Sequence, residues 1–99
     1  MNLNKAAAAM AALGNPVRLK LFKLLVAAGP DGLSISEMQA KLDGIPRSTL
    51  SHHLNKLVQV GLVPQEKDKN SKICRANYQM VGALVNYISA EYMPSETTS

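Results

Sequence analysis

Apolar residues recur at three- and four-residue spacing along most of this chain, and that period predicts helices. In "RSTLSHHLNKLVQVGLV", Leu50, Leu54 and Leu57 fall at i, i+4 and i+7, so one face of a helix over 46–60 turns inward. Pro46 opens that helix and Gly61 ends it. In "NPVRLKLFKLLVAAGPDG", Leu21, Leu24, Leu25 and Ala28 form a second stripe, with Arg18, Lys20 and Lys23 off it. Asn15 before Pro16 is a cap ahead of a proline at the first helical position, and "GPDG" is a strong stop. "NLNKAAAAMAALG" predicts an earlier helix, capped by Asn2 or Asn4 and ended by Gly14. In "SISEMQAKLDG", Ser34 and Glu37 have the spacing of a capping box, Ile35, Met38 and Leu42 supply an apolar face, and Asp43-Gly44 turns the chain. Two helices joined by a tight glycine-containing turn predict a helix-turn-helix over this stretch.

Past Gly61 the pattern changes. "LVPQEK" and "KICRANY" are β-like, and the "DKNS" between them is turn chemistry, so a basic-tipped hairpin is expected over 62–78. "QMVGALVNYISAEYM" then returns to the helical period: Val81, Leu84, Val85, Ile88 and Tyr92 share a face, with Gly82 a local weakness. The expected fold is mainly α with a small β-wing, a winged helix-turn-helix of about five helices and a two-stranded hairpin. It fills one domain, 1–93, and polar "PSETTS" (94–99) is expected to be a disordered tail.

Composition narrows the function. A chain of 99 residues builds one small domain, and 46% apolar residues with only four aromatics and no Trp suit helices packed on helices. A domain this small favours burying any apolar surface helix in a dimer. Eleven basic residues stand against seven acidic, a net charge of +4. Arg47, Lys56, Lys67, Lys69, Lys72 and Arg75 are opposed within their stretch only by Glu66 and Asp68, and no Lys or Arg follows Arg75. Basic charge is thus concentrated on the helix-turn-helix and hairpin, as nucleic-acid binding requires. One cysteine excludes an intrachain disulfide framework and fits a reducing compartment. The Ala-rich start, interrupted by Lys5, makes a poor signal peptide, and nothing approaches the run of about 18 apolar residues that a membrane span needs. The expected setting is the cytoplasm, without a membrane role.

The two histidines, His52 and His53, decide between metal binding, acid–base chemistry and DNA reading. Adjacent residues on a helix are rotated by about 100°, so the pair does not readily share one metal. His53 borders the leucine stripe and reads as a core-edge histidine that hydrogen-bonds locally and positions its helix. His52 groups with Ser48, Thr49, Asn55, Lys56 and Gln59 on an acid-free face. It is either an idle solvated residue or a contact to phosphate or base edge, and its neighbours favour DNA. Short groups on Ser48, Thr49, Ser51 and His52 can approach base edges in the major groove, and Arg47 and Lys56 can reach phosphate or guanine. Lys67, Lys69, Asn70 and Lys72 can meet flanking DNA, the alternative being a solvated turn.

These residues resemble a known family. "ALGNPVRLKLFKLL", "STLSHHLNKLVQVGLV" and the closing amphipathic helix look like the ArsR-type (ArsR/SmtB) winged-helix repressors of bacteria, over about Ala11 to Tyr92. The resemblance implies a homodimer paired through first and last helices, with Leu3, Ala7, Met10, Val81, Leu84, Val85, Ile88 and Tyr92 at the interface. It also implies that Ser48, Thr49, Ser51 and His52 contact DNA, that "EKDKNSK" is the wing, and that a metal, metalloid or redox signal relieves repression. The chain departs from the pattern where such sensing occurs. Ser34 and Ser36 occupy the positions of a Cys-x-Cys pair, Tyr92 and Met93 stand where some relatives have cysteines, and the last helix has no Asp or His. No metal site and no cofactor are therefore expected, and the effector is unidentified. Cys74 is either a small half-buried hydrophobe or a redox thiol with a pKa lowered by Arg75.

The expected function is a homodimeric repressor that reads a palindromic double-stranded operator with helix 46–60 and wing 62–78. A winged-helix module that binds an acidic protein instead is the alternative. An enzyme is not expected, because neither histidine has a carboxylate at useful spacing and no phosphate-cradling loop is present.

Overall fold

Asn2 opens the first helix, its Oδ1 accepting the Lys5 N–H at 2.8 Å. The computed structural model describes residues 1–92. Helix α1 spans Leu3–Leu13 and α2 spans Pro16–Ala28, with Asn15 Oδ1 accepting from the N–H groups of Val17 and Arg18. The helix-turn-helix follows as α3 (Ile35–Lys41) and α4 (Arg47–Gln59). Strands β2 (Gln65–Asp68) and β3 (Ser71–Cys74) form the wing, and α5 (Tyr78–Ser89) closes the domain. Met93 and the expected tail 94–99 lie outside the described residues.

The capping box is present in both halves: Ser34 Oγ accepts from Glu37 N at 3.1 Å, and Glu37 Oε1 accepts from Ser34 N at 2.8 Å. Pro46 sits one residue ahead of α4 as its cap, and its carbonyl accepts from Leu50 N at 3.0 Å. The hairpin gains a third strand, so the expected two-stranded sheet is three-stranded. Leu33–Ser34 (β1) pairs antiparallel with β3, Leu33 opposite Cys74 and Ser34 opposite Ile73, giving the order β1-β3-β2. Two residues are too short to display an alternating pattern, which hid this strand in the sequence. The approach depends on Gly32 (φ +70°), where a Cβ would collide with the Cys74 carbonyl and lie 2.7 Å from Arg75 Cγ.

The core lies where α2, α3, α4 and the sheet converge. Leu21, Leu25, Met38, Leu50, Leu54, Leu57, Leu62, Val63 and Cys74 are all fully buried there. Phe22 joins them, whereas Leu24 and Ala28 of the expected stripe are only half-buried. Asn77 ties the end of α4 to the start of α5: its Nδ2 donates to the Gly61 carbonyl at 2.9 Å, its N–H donates to the Leu62 carbonyl at 2.9 Å, and its Oδ1 accepts from Met80 N at 3.1 Å. α5 stops before Tyr92. The Ser89 hydroxyl donates to the Val85 carbonyl at 2.9 Å, and Tyr92, beyond the helix, donates its N–H to the Ser89 carbonyl at 2.9 Å in a tight turn.

Candidate nucleic-acid interface

The turn between α3 and α4 fixes how α4 is presented. Asp43 and Gly44 both have positive φ, and Gln39 Nε2 donates to the Ile45 carbonyl at 3.1 Å across the turn. Leu50, Leu54 and Leu57 are at most 1% exposed, so the inner face of α4 is anchored in the core. Arg47, Ser48, Thr49, His52, Asn55, Lys56 and Gln59 are exposed on the remainder, with no acidic residue in the helix. Ser51 is half-buried on the border and is less available than the other short side chains. Lys56 and Gln59, at the far end, also edge a hollow shared with Ala8 and Ala11 of α1 and Arg18 of α2.

In the wing, Lys67 and Lys72 stand directly opposite each other in the β2–β3 register, and Asp68 pairs with Ser71. Like charges in cross-strand register repel, so the bare wing carries a cost that an approaching anion would relieve. Lys69 adopts φ +56° at the tip beside Asn70, and both are exposed. Arg75 is turned the other way. Its Nε donates to the Pro30 carbonyl at 2.8 Å and its Nη1 meets Glu66 Oε1 at 3.3 Å, anchoring the base of the wing to the loop after α2. That tether, formed across 45 residues, had no signal in the sequence.

This orientation corrects the redox reading of Cys74. The thiol is wholly buried, and burial pushes its pKa up, against weaker opposing effects of a Gln65 Nε2 contact at 3.5 Å and of Lys72. Arg75, engaged with Pro30 and Glu66, does not lower it. A buried, protonated thiol is a poor nucleophile and a poor redox switch.

His52 and His53 have ring centroids 5.6 Å apart in an edge-on arrangement, nearer than their rotation around the helix suggests. His52 is exposed; His53 is half-buried, with its Nδ1 3.4 Å from Arg18 Nη1. Desolvation, the Arg18 charge and His52 together hold the His53 pKa below the usual imidazole value. Among the described residues, no three of His, Cys, Asp and Glu come together as a metal-binding group. Arg18 was visible in the sequence only as a cation off the α2 stripe; its partner lies 35 residues away.

Elsewhere on the surface, Leu3, Ala7 and Met10 of α1 and Val85, Ile88 and Tyr92 in and after α5 are exposed, and Val81 is half-buried. Leu84 is different. It is buried to 6% exposure in the chain's own core, so its side chain is committed before any partner arrives. No described helix is long and apolar enough to cross a membrane.

The helix-turn-helix domain family matches residues 13–66, more than half of the chain. Among solved structures, HlyU from Vibrio cholerae is 28% identical, with 93% of this chain and 98% of that one covered at a TM-score of 0.72. An ArsR-like transcriptional regulator from a Rhodococcus species is 26% identical, covering 90% and 83% at 0.73. The transcriptional repressor BigR from Xylella fastidiosa is 27% identical, covering 93% and 90% at 0.67. No curated protein matches in sequence. Family and fold are those of regulators rather than enzymes. The chain belongs to the helix-turn-helix family, and it is a winged-helix, DNA-binding transcriptional regulator of the ArsR type.

Proposed function

We propose that the chain acts in the cytoplasm as a homodimeric repressor, reading a palindromic operator with α4 in the major groove and the wing on flanking DNA. The observation that carries this reading is the outer face of α4. It exposes Ser48, Thr49, His52 and Asn55 without an acid, on a helix whose other face is buried. Short polar groups held rigidly can reach base edges, while Arg47, Lys56, Lys67, Lys69, Asn70 and Lys72 supply contacts to phosphate. Two-fold symmetry then sets recognition helices about 34 Å apart, one turn of B-DNA.

Fluorescence anisotropy tests the reading. Reduced protein is titrated into labelled duplexes from upstream of its own gene and from a random-sequence selection, with excess unrelated DNA at about 150 mM salt. Preference for one sequence by about 10³ or more is expected of a specific reader. A combined Ser48→Ala, Thr49→Ala, His52→Ala variant should lose that preference while keeping its oligomeric state. Unchanged discrimination in this variant removes α4 as the reader. Failure of any duplex to be preferred by the unaltered protein moves the basic face to an acidic protein partner.

A further inference from the structure

Arg18 holds three helices at one point. It belongs to α2; its Nε donates to the Ala12 carbonyl at the end of α1 at 2.6 Å, and its Nη1 lies 3.4 Å from Nδ1 of His53 in α4. Ala12 is in the last turn of α1, where carbonyls have no partner within the helix, so the guanidinium satisfies an orphan acceptor at the negative end of the helix dipole. At the other end, chemistry dictates the state of the ring. A guanidinium has only donors and keeps its charge, so a hydrogen bond at this contact requires His53 Nδ1 to accept, with the ring neutral and its proton on Nε2.

Among the described residues, the charges that act on the ring are those of Arg18 and His52, and neither favours its protonated form. α1 and α2 are the helices packed most extensively against α4, and α3 meets it through the core, its Glu37 carboxylate held in the capping box by Ser34 N. α2 brings Arg18, with Lys20 and Lys23 as further exposed cations; α1 has Lys5 as its one charged residue, two turns before Ala12; α4 itself brings His52. None of these is an acid, so an imidazolium at position 53 would face a guanidinium without an offsetting charge. We propose that Arg18 is a positioning residue for DNA reading: it clamps α4 to the end of α1 while His53 is neutral, and acid opens the clamp and loosens the reading helix. The proposal rests on the reading of α4 as the DNA-contacting helix.

The direction follows from linkage. His53 in the clamp holds a proton less readily than a free imidazole, through burial and its two neighbouring charges. The clamp is therefore at full strength above the ordinary imidazole value of about 6.5. It weakens as the pH falls from there towards the depressed value, because the released ring is the better proton acceptor.

Affinity for a duplex selected from a random-sequence library is measured between about pH 7.5 and about pH 5.5, the range in which histidine titrates. Arg18→Gln should weaken binding about tenfold at the upper end, the effect of losing one charge-assisted hydrogen bond. If Arg18→Gln does not fold, Arg18→Lys carries the same expectation, since one ammonium cannot span both acceptors as the planar fork does. His53→Gln keeps an acceptor for Arg18 but takes up no proton. It should bind as the unaltered protein does near pH 7.5 and escape that protein's loss in acid. Identical pH profiles for the unaltered protein and His53→Gln overturn the proposal, as does full affinity in the Arg18 variants.

A DNA-free arm separates failure of the clamp from failure of the reading of α4. Proton–nitrogen NMR of the ring should show Nε2 protonated and Nδ1 bare, with a titration midpoint that rises in Arg18→Gln. Amide exchange across α4 should accelerate on acidification more in the unaltered protein than in His53→Gln. A midpoint indifferent to Arg18, or equal exchange in the two proteins, sinks the clamp even if no duplex is ever selected.

Discussion

Cys74 shows how burial chooses between two readings of one residue. Its place in "KICRANY" left a small half-buried hydrophobe or a thiol activated by Arg75; Arg75, just past the end of β3, departs towards Pro30 while the sulfur enters the core. Burial raises the thiol's pKa above its free value, so the unfolded chain gives up the proton first. Folding stability should consequently fall as pH rises above about 8.5, the free thiol value, through this group. Comparing the alkaline denaturation of the unaltered protein with that of Cys74→Ala checks this: the variant should lack the component. A thiol reagent should label Cys74 only as fast as the domain opens, and rapid labelling of the folded protein would contradict the burial. His53 was placed correctly at the core edge from its position against the leucine stripe. Its partner was not legible, because no local pattern encodes a contact between residues 18 and 53.

At the scale of elements, most of the chain could be read. α1, α2, α4 and α5 follow from stripes and caps, and the Ser34–Glu37 box forms as its spacing predicts. What escaped was the tertiary part: β1 exists because Gly32 lets its backbone close on β3; the stop of α5 at Ser89, ahead of Tyr92, was not marked in the apolar pattern either. The wing yields a prediction of its own. Lys67 and Lys72 repel each other in register. Lys67→Ala should leave stability unchanged or raise it by a few tenths of a kcal/mol, roughly the size of a cross-strand pair. The same change should reduce the slope of log affinity against log salt by about one, as loss of a phosphate contact does. Chemical denaturation and anisotropy at several salt concentrations measure the two halves, and an unchanged slope would take Lys67 off the DNA.

For the whole molecule, the decisive feature is the apolar surface left exposed on α1 and α5. Leu3 is 70% exposed, Val85 57% and Ile88 60%. These residues lie on the first and last helices, where a dimer of this fold is proposed to pair. Replacing both Val85 and Ile88 with Asp should leave the core intact, since neither is buried, and should convert a dimer to a monomer in sedimentation equilibrium. Operator affinity should then drop by about 10² or more, because one recognition helix forfeits the effective concentration that tethering to the other provides. A variant that still sediments as a dimer would move the interface elsewhere. The joint at Asn77 has a wider consequence. By holding Gly61 and Leu62 against the start of α5, it brings the two ends of the wing segment together, so the tip at Lys69 and Asn70 can lengthen, shorten or change charge without displacing either helix. With the wing and α4 in their proposed roles, descent can remodel what this protein grips beside its site while leaving untouched the part that reads it, and targets can diverge faster than the scaffold.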